Sequence, residues 1–147
     1  FDAPFSVLPL RNRLFGRRCP LLLLVAAVVD ELLPLLVRTV QVGSDLEVEE
    51  AAKAARLVAI NLITTMKAAA GNLDKIRLVK ITGFVHSANG FAEQSAVLNG
   101  ASDLFIDVFG REKGAHARSA VGVNALPLGV CVEIEAIVEV LSDEEAG

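Results

Sequence analysis

Apolar and polar residues in this chain recur at two periods, and the change between them marks the elements. Val48, Ala51, Ala52, Ala55, Val58, Ala59, Leu62, Ile63 and Met66 are spaced by threes and fours, the pattern of one face of an α-helix. Gly43-Ser44-Asp45 opens this helix. Ser44 with Glu47 three residues on has the form of a capping box, and Glu49 and Glu50 suit the positive N-terminal end. Gly71-Asn72 supplies a C-cap, after about six turns. "KIRLVKITGFV", Lys75 to Val85, is rich in β-branched and apolar residues and predicts a central strand. "SANG", Ser87 to Gly90, is turn chemistry. A second helix follows over 91–109, with Leu98, Ala101, Phe105 and Val108 as its buried stripe and Gly110 as its stop.

"HARSAVGVNALPLGVCVEIEAIVEV", His116 to Val140, reads as two apolar strands around a tight connection. In the second, Val130, Val132, Ile134, Ala136, Val138 and Val140 share one face, while Cys131, Glu133, Glu135, Ile137 and Glu139 share the other. The first face belongs against the helices. The second is mixed, as in a subunit interface that holds a polar pocket.

Residues 1–40 are atypical. "RNRLFGRRCPLLLLVAAVVDELLPLLV" places a basic stretch before the apolar run Pro20–Val29, which Asp30 and Glu31 end. That run is too short to span a bilayer. Two readings fit it: a strand covered on both faces, or the remnant of a targeting segment. The chain starts with Phe rather than Met, so its native start is expected upstream. The predicted order is β-β-α-β-α-β-β, one α+β domain with a mixed sheet and two helices on one face.

Composition changes this picture in one respect. At 147 residues, 53% hydrophobic and mean hydropathy +0.53, the chain carries more apolar surface than a monomer of its size needs, and an oligomer is the simplest cover. Net charge is −4, which argues against nucleic acid as a partner. The basic cluster Arg11–Arg18 lacks interleaved aromatics, so an RNA-binding role for it is not favoured. Cys19 and Cys131 form no disulfide framework, and His86 and His116 are too isolated for zinc. His116, two residues before Arg118, could contact an anion, but a loop histidine without a role is the favoured reading.

Charge on a half-buried strand needs a partner or water. If 119–123 paired antiparallel with 130–134, Arg118 would lie near Glu135 with Glu133 one diagonal step away. One reading is a structural ion pair. The other is an anion site, with Arg118 on a carboxylate and a glutamate activating water.

Three stretches carry a family resemblance. "NLITTMKAAAGNLDKIRLVKITGFV", "LNGASDLFIDVFG" and "ARSAVGVNALPLGVCVEIEAIVEV" resemble, in order and spacing, the reactive-intermediate deaminases, also described as L-PSP endoribonuclease-like proteins. The likeness covers about 41–140 and is greatest to the branch carrying "NGASDL" and "HARSAVGV". It implies a chorismate-mutase-like fold and a homotrimer with clefts between subunits. It also implies cofactor-free hydrolysis of 2-imino acids to 2-keto acids and ammonia. Arg118 matches the arginine that binds the substrate carboxylate, and Glu133 the glutamate that positions water. Ser102 stands where many members have Asn, and Ala120 where many have Cys; the chain has no Tyr.

The expectation is therefore a trimeric, cytoplasmic or organelle-matrix deaminase with neither metal nor cofactor. Glu133 would be catalytic, and Arg118 and Ser102 substrate-binding. A non-catalytic trimer that binds small carboxylates is the alternative, and an endoribonuclease a weaker third.

Overall fold

The computed structural model describes residues 39–142 and Glu144, together with the backbone of Leu23–Ala27. Six elements follow in order: β1 (Leu23–Ala27), α1 (Val48–Ala70), β2 (Ile76–His86), α2 (Gln94–Gly114), β3 (Ala117–Val123) and β4 (Val132–Val140). The four strands form one mixed sheet in the order β1-β4-β2-β3. β2 runs parallel to β3 and antiparallel to β4, and β1 is antiparallel to β4. A parallel pair needs a long crossover, and α2 supplies it. This is the expected α+β class. Leu23–Ala27 falls within the apolar run Pro20–Val29 and pairs as a strand. Arg11–Arg18, Cys19 and most of the segment that was to hold the second opening strand lie outside the described residues.

The sequence reading put β3 and β4 side by side as a hairpin, and the structure does not. β2 lies between them, paired to β3 through Ile81↔Arg118 and to β4 through Ile81↔Ala136. Neighbouring strands are about 4.8 Å apart, so the link from β3 to β4 must step across β2. It does so through 124–131, with a short helical turn at Pro127–Gly129. That is longer than the two-residue turns of tight hairpins.

One face of the sheet carries the core. Ile76, Leu78, Ile81 and Val85 of β2 and Val132, Ile134, Ala136 and Val138 of β4 are buried beneath Val58, Leu62 and Met66 of α1 and Leu98 and Phe105 of α2. A bulge at Val79, between Leu78 and Lys80, interrupts the β2–β4 register and leaves Val79 44% exposed. The opposite face carries Thr82, Phe84, Val121, Glu133, Glu135 and Ile137, all partly or fully exposed in the single chain.

Three local expectations are corrected. α1 starts at Val48 without a side-chain cap. Ser44 and Asp45 instead close a turn on Gln41, whose N–H donates to Asp45 Oδ2 at 3.0 Å. α2 starts at Gln94 rather than Phe91, because Ser87–Phe91 is held by the turn bond from Phe91 N–H to the Ala88 carbonyl. Val108 is 44% exposed, while Val97 and Leu104 join the buried stripe. The helix does break at Gly110, whose φ is 72°, but one further turn runs on to Gly114. Gly71 caps α1 as expected, with φ 79° and its N–H on the Lys67 carbonyl.

The two helices cross where their side chains are smallest. A Cβ built on Gly100 would lie 2.0 Å from the Ala52 carbonyl oxygen. Backbone meets backbone there, and Asn99 and Ser102 flank the crossing.

Candidate functional site

Arg118 stands on β3, the edge strand, and its place in the register puts it on the helix face beside Ile81. Its side chain reaches α2. Nη1 donates to Asn99 Oδ1 at 2.8 Å and to Ser102 Oγ at 3.1 Å. Asn99 and Ser102 are three residues apart, so one helix face presents both. No carboxylate of the described residues is in ion-pair contact with this guanidinium. Two neutral oxygens hold one end of it, and the residue as a whole is exposed. Its Nη1 bond to Oδ1 also fixes the Asn99 amide with its NH2 group free to donate.

Ser102 has a second partner. Its Oγ lies 3.1 Å from His116 Nε2, and His116 Nδ1 lies 2.6 Å from the Gly114 carbonyl oxygen. A carbonyl only accepts, so Nδ1 carries the proton and Nε2 of the neutral ring accepts from the serine hydroxyl. The buried Phe105 ring meets the imidazole edge-on, 5.8 Å between centroids and perpendicular, which holds its orientation. The kink at Gly110 and the extra turn to Gly114 bring this carbonyl and the histidine back onto α2.

Of the residues singled out from sequence, Arg118 and Ser102 come together. Glu133 and Glu135 do not join them. Both lie on the outer face, where Glu133 neighbours Phe84 and Glu135 neighbours Thr82, and neither carboxylate bonds to another described side chain. The expected proximity of Arg118 to Glu135 fails because β2 separates their strands and their side chains take opposite faces. Asn99 was missed, although it sits one turn before the position matched to the family asparagine. His116 does stand in the short connection between α2 and β3, as read, and its ring also bonds to Ser102 and to the Gly114 carbonyl.

The other candidates lie elsewhere. His86 is 2% exposed, with Nε2 3.3 Å from the Gln41 amide nitrogen and Nδ1 without a partner among the described residues. It fastens 39–46 to the end of β2. Cys131 is half-buried next to Val132, and burial raises its thiol pKa above the ordinary value. Less thiolate at neutral pH means slow alkylation. Iodoacetamide is expected to modify Cys131 several-fold more slowly in the native chain than after unfolding in urea, followed by peptide mass spectrometry.

Among the described residues no helix is long and apolar enough to cross a membrane. Comparison with known proteins adds the following. A sequence model described as Endoribonuclease L-PSP matches residues 33–140. Protein TCP17 of Trypanosoma cruzi is 52% identical over 102 residues, covering 69% of this chain and 64% of TCP17. The chain thus spans just under two thirds of that relative's length. Among solved structures, Atu1372 of Agrobacterium tumefaciens, a protein of unknown function, aligns with a TM-score of 0.66 at 50% identity, covering 68% of this chain and 64% of its own. A candidate endoribonuclease from Shewanella oneidensis gives 0.65 at 31% identity, covering 68% and 66%.

Proposed function

The chain belongs to the Endoribonuclease L-PSP family, and from that premise we propose that it is a hydrolase of small 2-imino carboxylates working in clefts between subunits of a homotrimer. The observation that carries this reading is the state of Arg118. Its Nη1 is spent on Asn99 and Ser102, its charge is unmatched by any described carboxylate, and it lies on an exposed sheet edge. A guanidinium held in this way suits two parallel hydrogen bonds to a carboxylate.

Glu133 completes the reading only across a subunit boundary. It lies on the opposite face of the same sheet, so its carboxylate and the Arg118 of the same chain do not face one substrate. The uncovered outer face, with Phe84, Val121 and Ile137 among its glutamates, is apolar enough to pack against another copy. Such packing would bring one subunit's Glu133 to a neighbour's Arg118 edge. Water positioned by Glu133 then attacks the imine carbon, and nitrogen leaves as ammonia with a proton taken up during collapse of the carbinolamine. Nothing in this sequence of steps calls for a cofactor.

Ammonia release from freshly generated 2-iminopropanoate or 2-iminobutanoate tests the reading. Glu133→Gln is expected to lower turnover about 100-fold or more while leaving binding of the 2-keto acid product unchanged. Unchanged turnover in that variant removes Glu133 from the chemistry. No turnover by folded wild type, with the keto acid still bound, would favour the carboxylate-binding alternative. RNA cleavage, suggested by the names of relatives, would instead fall steeply with added salt.

A further inference from the structure

Ser102, His116 and the Gly114 carbonyl stand in the order in which base-activated hydroxyls are built: a nucleophile, a base, and a group that fixes the tautomer of the base. Serine–histidine contacts often do no more than pin a loop to a helix. Two further features separate this one from such a pin. The ring is locked with its acceptor nitrogen toward the hydroxyl, by the carbonyl at 2.6 Å and by the edge-on Phe105. The same Oγ also accepts a hydrogen bond from Arg118 Nη1 at 3.1 Å, which stabilises the oxygen as it loses its proton. Beside it, the remaining Arg118 N–H groups and the Asn99 amide offer donors to an anion. All of these groups belong to one chain and none of them is Glu133.

We propose that Ser102 is a nucleophile for acyl transfer, activated by His116, and that its substrates are small activated esters bearing a carboxylate. The carboxylate docks on Arg118. Ser102 Oγ bonds to the acyl carbon as its proton passes to His116 Nε2. The carbon–oxygen bond to the alcohol breaks, and the alcohol leaves with that proton. Water, giving a proton to His116, attacks the acyl-serine. The ester bond to Oγ breaks, and Oγ recovers its proton from His116. The net reaction is ester plus water to acid plus alcohol.

The test uses the full chain with two probes, mono-4-nitrophenyl succinate and an alkyl fluorophosphonate, in which an Oγ–phosphorus bond replaces phosphorus–fluorine. One fluorophosphonate adduct is expected, placed on Ser102 by peptide fragmentation and absent from Ser102→Ala. Ester hydrolysis should disappear in the same variant. His116→Gln should slow labelling about 100-fold. His116→Asn should slow labelling to a similar extent, and this second variant decides the matter if His116→Gln does not fold. An unlabelled wild type, an adduct that survives Ser102→Ala, or a labelling rate indifferent to substitution of His116 overturns the proposal. No imine enters this assay, so its failure is distinct from failure of the deaminase reading.

Discussion

Gly100→Ala is expected to destabilise the protein by about 2–4 kcal/mol, against the usual direction for alanine in a helix. At an exposed helical site the same change gains roughly 1 kcal/mol. Here the new methyl would sit 2.0 Å from the Ala52 oxygen and 2.8 Å from its carbonyl carbon. These are backbone atoms, so no rotamer change relieves the overlap and no side-chain substitution at Ala52 compensates. The helices must separate, and overpacking of this kind costs about 1–3 kcal/mol or more beyond the lost gain. A fall of roughly 5–15 °C in Tm should follow for a domain of this size, read by calorimetry or far-UV circular dichroism. The damage should also reach the site, since Asn99 and Ser102 ride on the displaced turn. A Tm equal to that of wild type would mean that the helices do not cross here at backbone contact.

Arg118→Ala should reduce kcat/KM for a 2-imino acid by about 100- to 1000-fold. A charge-assisted hydrogen bond contributes roughly 1.5–3 kcal/mol, the carboxylate takes two, and each 1.4 kcal/mol is tenfold. Arg118→Lys should recover little, because an ammonium cannot reach Asn99, Ser102 and a carboxylate together. The sharper measurement mixes subunits. Arg118→Ala and Glu133→Gln chains, each inactive alone, should regain part of the wild-type rate when unfolded together and refolded as mixed assemblies. Opposite sheet faces demand this result if both residues serve one substrate. Mixtures as inactive as their parents would show that the two do not share a cleft, leaving Glu133 a residue of the interface alone.

The elements that could be read from sequence are those whose periodicity is long and locally determined. α1 keeps its apolar stripe over 23 residues, and β2 declares itself by β-branched content on both sides of its bulge. The β3–β4 arrangement could not be read in this way. Adjacent apolar strands look like a hairpin, and nothing local in 117–140 says that β2 will occupy the space between them. Only the length and the Pro127–Gly129 turn of the connection hint at a longer step. The site follows the same rule. Arg118 drew attention as a charge on a half-buried strand, and Ser102 only through family resemblance, position by position. Asn99 lies one turn away on the same helical face, where a positional match does not look. His116 gains its contact with Ser102 from the chain reversal after Gly110, a long-range event with no trace in the composition around it. Glu133 was placed on the correct face of its strand, and its separation from Arg118 became visible only with the strand order.

The bulge at Val79 bears on how this strand tolerates a change of chain length. Along β2, Leu78 faces the helices, Lys80 faces away and Ile81 faces the helices again, so Val79 is the one position outside the alternation. Excising it would leave a regular strand with every other side chain on its present face. Excising any residue from Ile81 to Phe84 would instead put one part of the strand out of step with the present alternation of faces. Val79 is thus a slack link through which β2 can gain or lose a residue over evolutionary time while the register that sets Arg118 beside Ile81 stays fixed.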